Sequence, residues 1–299
     1  MMFKEELQKK VKYVESLLKN HAILRDNEAK TLFEAMNYSL FAGGKRLRPI
    51  MVLEGFNLLN GEEIGIAEVY AVATEMIHTF SLIHDDLPAM DDDDYRRGKL
   101  TNHKIYGDGI AILAGDSLLN YAYENIISNI KKSKYKDRCI EALDVLMNAI
   151  GPFGIMAGQT ADLINENNKD VSVETLRFIH EYKTTIFIRA CLKVGVILAG
   201  GNERQIDAID KYGYNIGLAF QIQDDILDVI GDSKELGKLV GSDEKNDKAT
   251  YVKIVGLEES KKEVERLTNG AIEIIKSEFD EEKTKFLIAL AEYLKNRTK

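Results

Sequence analysis

Apolar residues recur at spacings of three and four along most of this 299-residue chain. That spacing places them on one stripe of an α-helix, which has to be buried against another element. Clear stripes run from Val69 to Ile83 and from Ile206 to Leu227, whereas no segment alternates as a half-buried strand does. Only three prolines are present, and proline is the residue that breaks helices most strongly. The sequence therefore predicts an all-α fold of ten or more helices.

The helical pattern is interrupted by a few polar or glycine-rich stretches. None has the Pro-, Ser- or Gly-rich composition of an interdomain linker. We therefore expect a single domain spanning residues 1–299. The interruptions lie at residues 42–49, 85–103, 150–154, 164–170, 198–202 and 231–250.

The balance of charge excludes some classes of partner. The formal net charge is -9 and the pI is about 5.3, with 45% hydrophobic and 30% charged residues. A nucleic-acid-binding protein normally carries a basic stripe that releases phosphate counterions, so we expect no nucleic-acid partner. Any anionic ligand must then be bound by local cations or by metal ions.

Several features favour a cytoplasmic protein without stable membrane insertion. The N-terminal residues 1–18 are charged and amphipathic, and they lack the apolar centre of a signal peptide. The most apolar run, which begins at Val194, is too short to span a bilayer. Cys139 and Cys191 lie in apolar helical contexts without a CxxC motif, which is typical of buried thiols in a reducing compartment.

An acidic cluster lies in the sequence FQIQDDILD, residues 220–228. At about 100° per residue, its polar members share one helical face, and carboxylates so close together repel unless cations bind them. Oxygen ligands without His or Cys indicate Mg²⁺ rather than zinc. A solvated acidic patch is the alternative, which the apolar flanking residues disfavour. The members are Gln221, Asp224, Asp225 and Asp228.

A second acidic cluster, DDLPAMDDDD, occupies residues 85–94. Asp85 and Asp91 would lie about 120° apart on a straight helix. Pro88 prevents a regular helix, and a break between Leu87 and Ala89 can return the two aspartates to one side. We expect Asp92, Asp93 and Asp94 to face solvent or to pair with Arg96 and Arg97. The two clusters indicate either a local duplication or two metal-binding faces of one cavity, and the basic residues that follow each cluster favour the second reading.

Basic residues follow both clusters and also precede them. Lys45, Arg46 and Arg48 come after the Gly43-Gly44 pair, and Pro49 opens a helix whose N-terminal amides can add to an anion site. Because Mg²⁺ is usually completed by substrate phosphates, two acidic and two basic sets predict two anionic substrates, one of them metal-bound. The remaining candidates are Arg96, Arg97, Lys183, Lys238 and Lys248.

The motifs together resemble those of the trans-isoprenyl diphosphate synthase family, and most of all its bacterial farnesyl diphosphate synthases. They are GGKRLRP, HTFSLIHDDLPAMDDDDYRRGKLTNHKIYGD, AGQTADL, KT at 183, FQIQDDILD, GKLVGSD and KATY, between about residues 40 and 256. The resemblance implies an all-α fold around a deep cavity, usually in a homodimer. It also implies Mg²⁺-assisted ionisation of an allylic diphosphate, attack by isopentenyl diphosphate and loss of a proton.

The resemblance also assigns roles to individual residues. Asp85, Asp91 and Asp224 would bind three Mg²⁺ ions, supported by Asp86, Asp225 and Asp228. Isopentenyl diphosphate would be held by Lys45, Arg48, His78 and Arg97, and the allylic diphosphate by Arg96, Lys183, Thr184, Gln221, Lys238 and Lys248. Lys183, Thr184 and Gln221 would also act in catalysis, with Thr184 and Gln221 directing oxygen dipoles toward the carbocation, and the released pyrophosphate would accept the proton. A structural role is the alternative for His78, and we expect Arg46 to be solvated and His84 to be structural.

The same resemblance bears on product length. Phe80, five residues before Asp85, would form the floor of the chain cavity, and the two extra residues in DDLPAMD favour a C15 product. Thr185, Arg189, Lys193, Leu100 and Ala157 depart from the common family pattern, so a C20 product is the alternative. The acidic motifs are also compatible with a terpene cyclase, a non-catalytic subunit of a heteromeric synthase, or an acidic cation-binding module. Residues 231–250 are expected to order over the diphosphate.

Overall fold

A computed structural model of the chain describes residues 2–23, 25–166, 168, 170–230 and 250–297. The predicted all-α fold is confirmed, because helices account for nearly all regular structure in these residues. The helices, numbered within the described residues, are α1 (Met2–Lys19), α2 (Lys30–Leu40), α3 (Leu47–Asn57), α4 (Ile64–Asp85), α5 (Asn102–Tyr106), α6 (Asp108–Ile130), α7 (Lys136–Ile150), α8 (Ile155–Asn165), α9 (Val173–Ile179), a π-helix (His180–Thr185), α10 (Ile186–Leu198), α11 (Glu203–Ile230), α12 (Tyr251–Val255), α13 (Leu257–Glu278) and α14 (Glu281–Lys295).

The helices form two compact units. The first comprises the described residues of Met1–Leu53 and Glu63–Ile140, and the second those of Glu54–Glu62 and Glu141–Lys299. The expectation of one domain over the whole chain stays a prediction.

Helix α4 is the central element of the first unit. It packs against α6, α2 and α1, and most of its residues are buried. This burial explains its sequence, since a helix enclosed on nearly all sides has to be apolar on nearly all sides. The few polar groups on α4 therefore need partners inside the unit.

Helix α11 has the corresponding place in the second unit, where it packs against α13, α10 and the π-helix. Its glycines permit close approach: a Cβ added at Gly217 would lie 2.7 Å from Thr185 Cγ2. Thr185, where the family commonly has glycine, is thus accommodated by a glycine on the facing helix.

A short β-hairpin follows the first acidic cluster and was not expected from the sequence. Strands β1 (Tyr95–Arg96) and β2 (Lys99–Leu100) pair antiparallel, with Arg96 opposite Lys99. Arg97 and Gly98 between them both have positive φ, 55° and 75°, as a type I′ turn requires. Two-residue strands are too short to show alternation in a sequence.

Two stretches are long and apolar enough to cross a membrane by length and composition alone. They are α4, in which 78% of the relevant window is buried, and Lys136–Asn165, in which 33% is buried. The sequence argument considered only unbroken apolar runs and therefore did not find them. Such burial of α4 is what a core helix shows, so these stretches are weak evidence for a membrane protein. Cys139 and Cys191 are buried thiols that are not joined in a disulfide, as expected.

Candidate active site

The first acidic cluster lies where α4 ends. The last helical residue is Asp85, and the chain then turns so that the Asp91 amide donates to the Asp85 carbonyl at 2.8 Å. The Met90 amide bonds to the Leu87 carbonyl at 2.8 Å, which closes the turn around Pro88. The expected break is therefore present, and it brings the main chain of Asp91 beside that of Asp85.

Asp86 has a different environment from its neighbours. It is only 3% exposed, and its Oδ1 accepts from Arg96 Nε at 2.8 Å and also from Arg96 Nη2. Burial raises the pKa of the Asp86 carboxyl, although the Arg96 guanidinium acts in the opposite direction. Arg96 also donates to Asp93 at 2.9 Å. Asp86 thus fixes the position of Arg96, one of the two arginines expected to bind a diphosphate.

The last three aspartates of this cluster have separate fates. Asp93 pairs with Arg96, as expected for one of them, whereas Asp94 lies 2.6 Å from Lys104 Nζ. Asp92 is exposed and has a φ of 51°. Arg97, the other expected partner, instead makes contacts with Glu75 and the Gly43 carbonyl.

The expectation that Arg46 is solvated was wrong. Its side chain is 1% exposed, and Nη1 donates to Glu75 Oε1 at 2.5 Å while Nη2 donates to the Leu40 carbonyl at 2.9 Å. The physical reason is that Glu75 projects from the buried helix α4 and needs a cationic partner. Arg97 Nη2 lies 3.7 Å from the same Glu75 oxygen. The sequence contained one overlooked signal for Glu75, which is an acid within an apolar helical stripe.

His78 lies one turn after Glu75 on α4 and contacts a second arginine. Arg48 Nη1 is 3.2 Å from His78 Nε2. Burial lowers the pKa of His78 well below its usual value, and the nearby arginines Arg48 and Arg97 lower it further. The imidazole is therefore neutral at pH 7, and its Nε2 accepts the hydrogen bond from Arg48. Lys45, in the same loop, is exposed.

The second acidic cluster lies near the C-terminal end of α11, where its two adjacent aspartates have different partners. Asp224, whose side chain is 45% exposed, accepts a hydrogen bond from Arg297. Asp225 is buried, accepts from the Tyr251 amide at 2.6 Å and lies 3.6 Å from His180 Nε2. Asp225 thus ties α11 to the start of α12. The expectation that these aspartates share one face does not extend to their contacts.

Arg297 was not predicted to belong to this cluster. Its guanidinium lies over the Phe220 ring at 4.0 Å and donates to the Phe220 carbonyl at 3.1 Å as well as to Asp224. An isolated arginine near the end of a helix carries no sequence signal for such a contact. The other members of the cluster, Gln221 and Asp228, are partly buried.

Lys183 lies in the π-helix that follows α9. Its Nζ donates to Asp162 Oδ2 on α8 at 2.5 Å. The two elements lie in close contact at Gly158, because an added Cβ there would clash with the Lys183 backbone nitrogen. Thr184 is partly buried beside it. A π-helix often marks a functional position, since its wider turn displaces side chains from the regular helical face. The predicted Lys238 and Lys248 lie outside the described residues.

The acidic clusters suit Mg²⁺ in the chemistry of their ligands. Among the described residues, no group of three or more His, Cys, Asp or Glu is arranged to hold a metal ion on its own. Mg²⁺ does not require such a group, because it commonly binds one or two carboxylates, waters and substrate phosphates. Asp85, Asp91 and Asp224 are partly or largely exposed and provide only oxygen, so they fit that mode of binding.

Comparisons with known proteins agree with this description of the site. The family model described as Polyprenyl synthetase matches residues 29–290. The chain is 48% identical over 269 residues to a dimethylallyltranstransferase of Fischerella ambigua, covering 89% of this chain and 76% of that protein. It is 43% identical over 295 residues to a chloroplastic geranylgeranyl pyrophosphate synthase of Catharanthus roseus, covering 99% and 81%.

Solved structures resemble the chain over nearly its whole length. An FPP/GFPP synthase of Zymomonas mobilis has a TM-score of 0.86 at 31% identity, with 98% of both chains covered. A geranyltransferase of Legionella pneumophila has a TM-score of 0.86 at 33% identity, covering 99% of this chain and 98% of that one. The chain therefore belongs to the polyprenyl synthetase family, the trans-isoprenyl diphosphate synthases.

Proposed function

We propose that this trans-prenyltransferase is a farnesyl diphosphate synthase. It joins dimethylallyl or geranyl diphosphate to isopentenyl diphosphate in the trans configuration, and its main product has fifteen carbons. The observation that carries the proposal is the separation of charge within the first unit. One basic set surrounds neutral His78, while Arg96 is bound to the acidic cluster through Asp86 and Asp93.

The basic set around His78 suits a diphosphate that binds without metal. Lys45 is exposed, Arg48 is held by the neutral imidazole, and the Arg97 side chain is 20% exposed. Arginine forks bind phosphate oxygens in pairs, and a lysine adds a point charge. We assign isopentenyl diphosphate to these residues and to His78, which contributes through Arg48.

The acidic clusters, Arg96 and the residues on the π-helix suit the allylic diphosphate. Asp85, Asp91 and Asp224 would hold three Mg²⁺ ions, which supply positive charge against the departing diphosphate. Lys183 is held by Asp162 and would bind the same group, with Thr184 and Gln221 facing the carbocation. The released pyrophosphate would take the proton. Asp86 and Asp225 act as supports through Arg96 and the Tyr251 amide, and Asp228 completes the second cluster.

Phe80 supports the assignment of a C15 product. It is 5% exposed on α4, and its ring meets His84 edge-on with centroids 4.9 Å apart. His84 is held in turn, because Nε2 lies 3.1 Å from the Ile112 carbonyl and Gly115 leaves room for the ring. A wall of two rings backed by α6 resists displacement by a growing chain.

The product separates this proposal from the second candidate, a geranylgeranyl diphosphate synthase. Several relatives carry that name, including the Catharanthus roseus protein. The test is incubation with labelled isopentenyl diphosphate and each allylic starter, followed by chromatography of the dephosphorylated products. We expect farnesol from dimethylallyl and geranyl starters. A predominantly C20 product would establish the second candidate instead.

Metal dependence tests the chemistry independently of product length. We expect full chelation with EDTA to abolish turnover of geranyl and isopentenyl diphosphates, and added Mg²⁺ to restore it. Turnover that survives chelation would contradict the assignment of the acidic clusters. A non-catalytic subunit would show no turnover with Mg²⁺ present.

We also propose a cytoplasmic homodimer. Exposed apolar side chains on α6, at Ile112, Leu113 and Ile127, offer surface for a second copy. Light scattering coupled to size-exclusion chromatography measures the mass directly, and a mass near 33.7 kDa would contradict the dimer.

A further inference from the structure

Glu75 is a buried acid that the proposed chemistry does not use. It is 1% exposed on α4, and its Oε1 lies 2.5 Å from Arg46 Nη1 and 3.7 Å from Arg97 Nη2. A carboxylate this far from water is tolerated only with cationic partners. Glu75 has two of them, from loop 42–46 and from the hairpin after the first acidic cluster.

Arg46 connects Glu75 to the loop that precedes α3. Its guanidinium is occupied by Glu75 and the Leu40 carbonyl, so it is part of the protein interior. The residue has a φ of 50°, a conformation that non-glycine residues adopt only when surrounding contacts hold it. The buried ion pair therefore sets the path of the chain between Lys45 and Arg48.

Arg97 connects Glu75 to the same loop from the other side. It donates to the Gly43 carbonyl, and a Cβ at Gly44 would lie 2.7 Å from Arg97 Cζ. Gly44 has a φ of 129° and leaves the space that the guanidinium occupies. The position of Arg97 thus depends on both the loop and the carboxylate.

Glu75 and His78 lie three residues apart on α4, so they project from adjacent turns of one face. Glu75 anchors Arg46 and Arg97, and His78 anchors Arg48. Burial lowers the pKa of Arg97, and the neighbouring arginines Arg46 and Arg48 also lower it while Glu75 opposes them. Without the carboxylate, three close guanidinium groups would repel one another.

We propose that Glu75 is a positioning residue for the isopentenyl diphosphate site. It does not touch the substrate; it holds Arg46 and Arg97, and through them it aligns Lys45 and Arg48 for the diphosphate. This inference rests on the proposed assignment of that basic set. Its consequence is selective: loss of the charge at Glu75 impairs isopentenyl diphosphate binding and spares the allylic diphosphate, which binds elsewhere.

The test is steady-state kinetics of the full-length enzyme carrying Glu75→Gln, a change that keeps shape and removes charge. We expect the KM for isopentenyl diphosphate to rise by about tenfold or more, since small misplacements of binding groups have effects of this size. The kcat and the KM for geranyl diphosphate should stay within about twofold of wild type, a difference worth less than 1 kcal/mol. An equal rise in both KM values, or no rise, would overturn the proposal.

Glu54→Gln is the matched control. Glu54 is a glutamate on α3 that is 7% exposed, and its carboxylate lies 3.5 Å from the Asn57 amide nitrogen. It reports what loss of a buried carboxylate does in general, and we expect both KM values to stay near wild type.

A double variant covers the case in which Glu75→Gln does not fold. Glu75→Gln with Arg46→Met removes both members of the buried pair, which is often tolerated better than removal of one. We expect it to fold and still to bind isopentenyl diphosphate weakly. A wild-type KM in the folded double variant would overturn the proposal.

Direct titration separates this inference from the proposed function. Inorganic pyrophosphate, titrated calorimetrically in EDTA, should bind wild type more tightly than Glu75→Gln. If wild type shows no prenyl transfer, the proposed function fails, yet the titration still measures the effect of Glu75. Equal pyrophosphate affinity in both proteins contradicts the inference alone.

Discussion

Replacement of Phe80 by alanine is expected to lengthen the product from C15 to C20. The substitution removes a six-carbon ring, and each further condensation adds a five-carbon unit, so the space released matches one unit in size. Phe80 is 5% exposed and meets His84 at 4.9 Å, so the ring is part of a packed wall. His84 remains held by the Ile112 carbonyl, which should keep the new space open.

The same change has a cost in stability that sets the conditions of the assay. Removal of a buried phenylalanine side chain costs about 3–5 kcal/mol. This is a large part of the roughly 5–15 kcal/mol by which domains are stable. Folding of the variant should therefore be checked by urea denaturation before products are compared.

The assay is chromatography of products from labelled isopentenyl diphosphate with geranyl diphosphate as starter. We expect the alanine variant to make mainly C20 product, while Phe80→Tyr, which keeps the ring, should retain C15. A folded, active alanine variant that still stops at C15 would refute Phe80 as the floor of the cavity.

Two further predictions concern charged contacts. Arg297→Met removes a guanidinium that binds Asp224, so the Mg²⁺ concentration for half-maximal activity should fall, and unchanged Mg²⁺ dependence would show that Arg297 does not compete for this carboxylate. His78 has a lowered pKa in the folded state, so the unfolded chain binds the proton first as pH falls below about 6.5. Folding stability should decrease by up to about 1.4 kcal/mol per pH unit below that value, and His78→Gln should remove this part of the loss in urea denaturation at several pH values.

Much of the fold and part of the site could be predicted because they depend on local pattern. The stripe from Val69 to Ile83 lies within α4, and the stripe from Ile206 to Leu227 lies within α11. Proline chemistry predicted the break after Asp85, where the Asp91 amide meets the Asp85 carbonyl. These features involve neighbours along the chain, so backbone geometry determines them before any tertiary contact forms.

The partners of the charged residues could not be predicted in the same way. Arg46 was expected to be solvated, and it is buried against Glu75, which lies 29 positions away. Asp224 and Asp225 are adjacent in sequence, yet one binds Arg297 and the other the Tyr251 amide. Charge patterns show which residues need partners, but they do not show which distant group supplies one.

By itself, then, the sequence determined the helical class, the interruption at Pro88 and the residue types available to bind diphosphate and metal. Only the tertiary structure decided that Glu75 lies among the arginines, that Asp86 holds Arg96 and that the π-helix places Lys183 against Asp162. The physical reason is one of range. Helical periodicity is set by hydrogen bonds four residues apart, whereas a buried charge is stabilised by whichever opposite charge the packing of distant helices brings within contact.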